Sequence, residues 1–251
     1  MDAKANLKKR IIIALDVKGK DEALALVSQL KDAEVFKIGM ELFTAEGPTL
    51  FKRMRILRKK IFLDLKFHDI PNTVAGAVRS GVRQAVQMMT LHASGGLEMM
   101  VRAVEAAADE AEKQKSAKPL LLAVTVLTSL KAEHLQEIGI LSPPGDQVLR
   151  LAQLAKKAGV SGVVCSPQEI GLIKKEFGSE LLVVTPGIRP SWAAAQDQKR
   201  IMTPREAFEA GADYIVVGRP ITGAVSPAEA FSRIGEELNG PDDSTHRKDR
   251  P

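Results

Sequence analysis

The sequence predicts an α/β protein, a single-domain (β/α)8 barrel of the TIM type. Three observations lead there. Short apolar runs alternate with amphipathic stretches along the whole chain, and eight such pairs can be counted. The runs are apolar at nearly every position rather than at alternate ones, as in parallel strands covered by helices on their outer side. The length of 251 residues matches the ~250 residues of one closed barrel. An open doubly wound sheet is the alternative. The first run is not followed by G-x-G-x-x-G, which counts against its dinucleotide-binding form.

Taken in order, the strands are expected at Ile11–Leu15, Val35–Gly39, Ile61–Leu65, Gln87–Leu91, Leu120–Val126, Gly162–Cys165, Leu181–Thr185 and Tyr214–Gly218. Each is short and largely apolar, and most are rich in Val, Ile and Leu; Gln87–Leu91 carries two Met and one Leu instead. The helices between them are expected at Asp21–Leu30, Ala45–Leu57, Val74–Ala85, Gly96–Glu112, Asp146–Ala158, Pro167–Phe177, Thr203–Ala210 and Pro227–Leu238. Local signals support several ends. Asp146 is read as opening a helix, and Ser166-Pro167 and Ser226-Pro227 read as N-cap followed by N1. Gly159 and Gly211 follow helix ends in the position where a left-handed residue closes the last turn. Residues 1–10 form a basic N-terminal extension, residues 11–239 the catalytic barrel, and residues 240–251 a polar, breaker-rich tail expected to be disordered.

Composition removes several classes of function. Aromatic residues make up 4% of the chain, too few for the stacking platforms that bind single-stranded nucleic acid. The formal net charge of +5 lies partly at the two ends, where Lys4, Lys8, Lys9, Arg10, Arg247, Lys248 and Arg250 read as solvated termini; the remainder suits steering of small anions. Neither nucleic acid nor membrane is an expected partner. No apolar stretch approaches the ~18 residues of a spanning helix, and Ile11–Leu15 is too short for a secretory signal. Cys165 is the single cysteine. It excludes an intrachain disulfide, fits a reducing cytoplasm, and reads as a small buried hydrophobe.

Barrel enzymes carry their chemistry at the C-terminal ends of the strands. Here seven ends bear polar groups: Asp16, Lys37, the Asp64/Lys66 pair, His92, the Thr125/Thr128/Ser129 group, Arg189 and Arg219. On the third strand the pleat places Ile61, Leu63, Leu65 and Phe67 on one face, with Phe62, Asp64, Lys66 and His68 on the other. Charges crowding one face of a strand end suit a reacting centre. A lysine between Asp64 and Asp69 is suited to donate a proton or to stabilise developing negative charge, and not to act as a Schiff-base nucleophile, which requires the neutral amine. Asp69 itself, in Asp-Ile-Pro, reads equally as a helix cap. The seventh and eighth strands run into Pro186-Gly187-Ile188-Arg189 and Gly218-Arg219-Pro220. A glycine admits close backbone approach and the arginine fork matches phosphate oxygens, so this is the expected phosphate site.

The run Asp64-x-Lys66-x-x-Asp69-Ile70-Pro71-Asn72-Thr73 resembles the signature of the orotidine 5′-phosphate decarboxylases in their bacterial form. Ala14-Leu15-Asp16, Phe36-Lys37-Ile38-Gly39, Val124–Ser129, Thr185–Arg189 and Val217–Ile221 agree in order, so the resemblance spans about residues 11–238. It implies conversion of orotidine 5′-monophosphate to uridine 5′-monophosphate and carbon dioxide, the last step of de novo pyrimidine synthesis, with no metal and no organic cofactor. Lys66 would protonate C6, with Asp64 beside the departing carboxylate. Asp16 and Lys37 would contact ribose, Thr128 and Ser129 the pyrimidine, and Arg189, Gln198, Gly218 and Arg219 the phosphate. The segment 190–201, which holds Gln198, would close as a lid. The resemblance also implies a homodimer with shared sites, in which Asp69, Ile70 and Thr73 reach the neighbouring subunit's substrate. Two other functions compete: a metal-dependent sugar-phosphate lyase sharing the shorter D-x-K-x-x-D, and a non-catalytic nucleotide-sensing barrel. The Ile70–Thr73 continuation argues against the first, and retention of both Asp64 and Lys66 against the second.

Overall fold

A computed structural model describes residues 7–193 and 202–239. The described chain runs β1 (Ile11–Ala14), α1 (Lys20–Gln29), β2 (Val35–Gly39), α2 (Met40–Glu46), α3 (Thr49–Ile56), β3 (Lys60–Phe67), α4 (Pro71–Arg83), β4 (Met88–His92), α5 (Gly96–Lys113) and β5 (Leu120–Val124). It continues through α6 (Ala132–Glu137), α7 (Pro144–Ala158), β6 (Gly162–Val164), α8 (Ile170–Phe177), β7 (Leu182–Thr185), α9 (Pro204–Glu209), β8 (Tyr214–Val217), α10 (Arg219–Thr222) and α11 (Pro227–Asn239). All neighbouring strands pair in parallel, and β1 pairs with β8, so the barrel is closed.

The pleat sorts the strand residues into two cores. Ile12, Val35, Phe62, Met88, Leu122, Val184 and Val216 point inward and fill the barrel as one buried cluster. Ile11, Ile13, Phe36, Ile38, Ile61 and Leu63 point outward and pack under the helices in a second, larger one. The face assignment on β3 holds as far as Phe67: Leu65 and Phe67 pack against the outer core, while Phe62 belongs to the inner one; His68 lies past the strand end, exposed and outside the inner cavity. Moving two residues along β2, β3 and β4 from the inner apolar layer leads to Lys37, Asp64 and Thr90. The same alternation that fills the barrel thus delivers polar groups to its upper end.

Three local expectations are corrected. The helix expected over Ala45–Leu57 is two helices, α2 and α3. Gly47 is left-handed (φ +62°) and Pro48 has no N–H to continue the ladder. The helix expected to open at Asp146 begins two residues earlier, with Pro143 as N-cap and Pro144 in the first turn. Asp146 instead lies in the first turn, where its charge complements the helix dipole. The stretch expected as one helix over Pro167–Phe177 opens as a 3-10 turn, Pro167–Glu169, before α8. Gly159 takes the expected left-handed cap (φ 77°) after α7, and Ser166 caps the turn before α8, its hydroxyl accepting from Gln168 N–H.

At the N-terminus, Leu7 packs against the outer core and the Arg10 carbonyl accepts the Ile215 N–H (3.1 Å), extending the β1–β8 ladder. Among the described residues no helix is long and apolar enough to cross a membrane.

Candidate active site

Four charged side chains from three adjacent strands meet at the barrel mouth. Asp16 follows β1, Lys37 lies in β2, and Asp64 and Lys66 lie in β3. Lys37 Nζ donates to Asp16 Oδ1 at 2.7 Å and lies 3.8 Å from Asp64 Oδ2. Lys66 Nζ lies 3.0 Å from each Asp64 oxygen. The sequence of charges is acid, base, acid, base, and formally neutral. It also dries inward: the Asp16 side chain is 60% exposed, whereas those of Lys37 and Asp64 are 12% and 13% exposed. Gly39 makes room for it, because a Cβ there would lie 3.0 Å from Lys37 Nζ and 3.4 Å from Asp16 Oδ1.

Strand β3 reaches this arrangement by leaving regular geometry. Leu63 pairs with Met89 and Phe67 with Leu91, so Asp64, Leu65 and Lys66 together face the single residue Thr90. This is a β-bulge, which re-aims side chains next to the interruption. Lys66 takes a left-handed backbone (φ 51°), a conformation costing a non-glycine residue about 1–2 kcal/mol. The bulge is held from β4. Thr90 is fully buried; its hydroxyl accepts the Lys66 N–H at 2.9 Å and donates to Asp64 Oδ1 at 2.9 Å. Sequence reasoning missed Thr90. The available signal was a lone hydroxyl in the apolar run Met88-Met89-Thr90-Leu91.

Asp16, Lys37, Asp64, Lys66 and Thr128 line one cavity of ≈ 280 Å³, floored by Phe62 and Val216. Its dimensions are at the small end of ligand sites. Cys165 borders it but is itself buried, and burial pushes its thiol far above the usual range, so it is no nucleophile. Ser129 does not line this cavity; it stands exposed in the turn after β5, beside Thr128. A second cavity of ≈ 460 Å³ opens behind that turn, and Leu127 and Thr128 line both. His92, at the end of β4, packs its ring 5.3 Å from that of His68; burial, followed by the charges of His68 and Lys66, holds its pKa below the ordinary value.

The phosphate candidates lie at the ends of β7 and β8. Gly187 is left-handed (φ 78°), which lets the chain turn back after β7. Arg189 is buried, its N–H donates to the Met202 carbonyl (3.1 Å), and Ile188 bridges Met202 in parallel. The two ends of the segment 190–201 are thereby joined. Gln198 lies outside the described residues. Gly218 precedes α10 and Arg219 opens it.

Asp69, Ile70 and Thr73 do not join their own barrel's cavity. All three are exposed, Ile70 at 67%. The helix-cap reading of Asp69 is corrected: the N-cap of α4 is Ile70 with no side-chain cap bond, and Asp69 Oδ1 accepts only the adjacent Ile70 N–H at 2.7 Å.

Residues 9–234 match the model of the orotidine 5′-phosphate decarboxylase / HUMPS family. The chain belongs to this family. An orotidine 5′-phosphate decarboxylase of Idiomarina loihiensis is 51% identical over 232 residues, covering 90% of this chain and 98% of that protein. One from Nostoc sp. is 46% identical over 230 residues, covering 91% and 97%. The crystal structure of orotidine 5′-phosphate decarboxylase from Lactobacillus acidophilus superposes with a TM-score of 0.82 at 38% identity, covering 92% of this chain and all of that one. The matched span, residues 9–234, includes the barrel, the charged mouth and both arginine turns. The metal-dependent reading and the sensing reading lose ground together, because the curated relatives that share this span are named decarboxylases.

Proposed function

We propose that the protein decarboxylates orotidine 5′-monophosphate to uridine 5′-monophosphate and carbon dioxide, without metal or organic cofactor, and that Lys66 supplies the proton. It is a carboxy-lyase acting at the last step of uridine 5′-monophosphate synthesis. The observation that carries the mechanism is the contact of Lys66 with both oxygens of Asp64 at the cavity wall. In the reaction the C6–carboxylate bond breaks, its electron pair stays on C6, and carbon dioxide leaves. Lys66 Nζ gives its proton to C6 and is afterwards reprotonated by water. Fixed positive charge beside C6 lowers the energy of the carbanion-like state. Asp64 orients Lys66 and faces the departing carboxylate.

The other roles follow the same reading. Asp16 and Lys37 take the ribose hydroxyls, Thr128 and Ser129 the pyrimidine, and Arg189, Gln198, Gly218 and Arg219 the phosphate. The protein works as a homodimer in which Asp69, Ile70 and Thr73 enter the partner's site; their exposure, and their separation from their own cavity, support this reading. The catalytic unit is residues 11–239, between a basic N-terminal extension and a polar tail, and it operates in the cytoplasm without nucleic acid or membrane.

The test is ultraviolet-monitored conversion of orotidine 5′-monophosphate by the purified protein in EDTA. Full activity is expected. Activity that disappears in EDTA and returns with Mg²⁺ would contradict the cofactor-free mechanism, and no conversion under either condition would remove the substrate assignment.

A further inference from the structure

We propose that Thr90 is a positioning residue of the reacting centre, holding Asp64 and Lys66 in register through one hydroxyl; this rests on the decarboxylase reading above. Nothing in the sequence pattern or the family resemblance assigned it a role. Its environment separates it from the other buried threonines. Among the described residues, Thr90, Thr125 and Thr185 are the buried threonines. Thr125 donates its hydroxyl to the Val164 carbonyl and Thr185 to the Cys165 carbonyl, so both tie one strand to the next through backbone. Thr90 instead donates to the Asp64 carboxylate and accepts from the Lys66 amide.

The geometry explains why a hydroxyl is needed. On β3 the Lys60 N–H donates to the Glu34 carbonyl on the β2 side and the Ile61 carbonyl accepts the Gln87 N–H on the β4 side, so an unbroken ladder would turn the Lys66 N–H toward β2. The bulge, with three residues of β3 set against one of β4, turns that N–H toward β4 instead, onto the Thr90 hydroxyl. A part-buried amide without an acceptor is costly, and the Thr90 oxygen supplies the acceptor. The same oxygen carries one proton and can donate once. It spends that proton on Asp64 Oδ1, one of the two oxygens that Lys66 Nζ also contacts. One atom therefore fixes the backbone that carries the proton donor and the carboxylate that orients it. Removal of the hydroxyl frees the left-handed Lys66 backbone to relax and lets Asp64 rotate.

The experiment compares Thr90→Val, which keeps shape and loses the hydroxyl, with Thr90→Ser, which keeps the hydroxyl and loses a methyl. Steady-state decarboxylation is measured beside wild type. Thr90→Val should lower kcat ~100-fold, the scale of a 1 Å misplacement of a reacting group, with KM changed less than ~3-fold, because substrate contacts elsewhere persist. Thr90→Ser should retain kcat within ~3-fold of wild type. Thermal melts establish folding; if Thr90→Val does not fold, Thr90→Ala set against Thr90→Ser gives the same contrast. Near wild-type kcat in the hydroxyl-free variant, an equal loss in the serine variant, or a loss confined to KM would each overturn the proposal. A wild-type protein without decarboxylase activity would instead overturn the functional reading, so the two failures are distinguishable.

Discussion

The alternating charges at the barrel mouth make a quantitative claim about coupling. Asp64 lies 3.0 Å from Lys66 Nζ and 3.8 Å from Lys37 Nζ. At an effective dielectric of ~20 these separations correspond to gross attractions of roughly 5 and 4 kcal/mol. The Asp64→Asn substitution removes both and leaves Lys37 and Lys66 with Asp16 as the remaining acid of the set. Removing one partner of a fully buried pair costs about 3–5 kcal/mol. The side chains here are 13% and 26% exposed, so water recovers part of that, and a loss of ~2–4 kcal/mol is expected. Lys66→Met alone should cost less, ~1–2 kcal/mol, because Asp64 keeps Lys37 and the Thr90 hydroxyl. The double variant is decisive. Once Asp64 is neutral, the Lys66 charge has lost its partner, and replacing it should cost nothing further or restore stability. The expected coupling is therefore at least the ~1–2 kcal/mol of the single Lys66→Met loss. Urea unfolding at one protein concentration measures it, and each kcal/mol should also move Tm by about 2–4 °C in a chain of this size. Losses that add to within ~0.5 kcal/mol would show that the two residues do not stabilise each other, and the charge chain would then be a product of proximity alone.

Two further outcomes are expected. Lys66→Ala and Asp69→Ala subunits should each be inactive alone, yet regain about a quarter of wild-type activity after random exchange at equal concentrations, since half the dimers are mixed and one site in each is intact; continued inactivity with exchange verified would place Asp69 in its own subunit's site. Glu169 is a different case, a carboxyl whose pKa is pushed above the ordinary 4.5 chiefly by burial, while accepting the Ser166 N–H at 2.9 Å. A raised folded-state pKa contributes stability that is fully present below the unfolded value and is lost as pH rises through the folded value. At pH 7 the buried charge is therefore a cost. Glu169→Gln, which keeps the acceptor, should melt higher than wild type at pH 7 and lose that advantage near pH 4; a lower Tm at pH 7 would refute this assignment of cause.

The barrel and the partition of β3 were legible because both depend on periodicity. Polar residues at seven strand ends announced a mouth for the same reason: the pleat that buries Val35, Phe62 and Met88 brings Lys37, Asp64 and Thr90 to the next inner level. What the pattern could not carry was departure from period. Asp64-Leu65-Lys66 reads as regular strand, and nothing local signals that three residues will face one, because the bulge is satisfied from β4. Thr90 was overlooked for a related reason, since threonine is an ordinary strand residue. The α2–α3 break was in view as Gly47-Pro48, but helical periodicity on both sides masked it. Asp69 illustrates an ambiguity that sequence alone leaves open. Asp-Ile-Pro is consistent with capping, and only the observed bond, to the Ile70 N–H of the N-cap itself and not to an amide of the helix's first turn, removes that role.

The neutrality of the charge chain bears on how such a site accelerates a reaction. Interactions equal in the ground and transition states improve binding without raising kcat. A cluster of lysines alone would hold the substrate's carboxylate in just that way. On the proposed mechanism interleaved carboxylates would prevent it: Asp64 would cancel much of the attraction that Lys66 offers to the incoming anion, while leaving the ammonium fixed where charge is to arrive. In the proposed mechanism negative charge moves away from the carboxylate beside Asp64 and onto the carbon beside Lys66, so both contacts improve along the reaction coordinate. That mechanism would leave affinity to the arginine turns after β7 and β8, remote from the changing bond. The strain at Lys66 belongs to the same division of labour. About 1–2 kcal/mol of unfavourable backbone is met once, during folding, by the Thr90 and Asp64 bonds. The ammonium therefore needs no reorientation when substrate arrives, and preorganised charge of this kind is worth more than the same charge recruited from solvent.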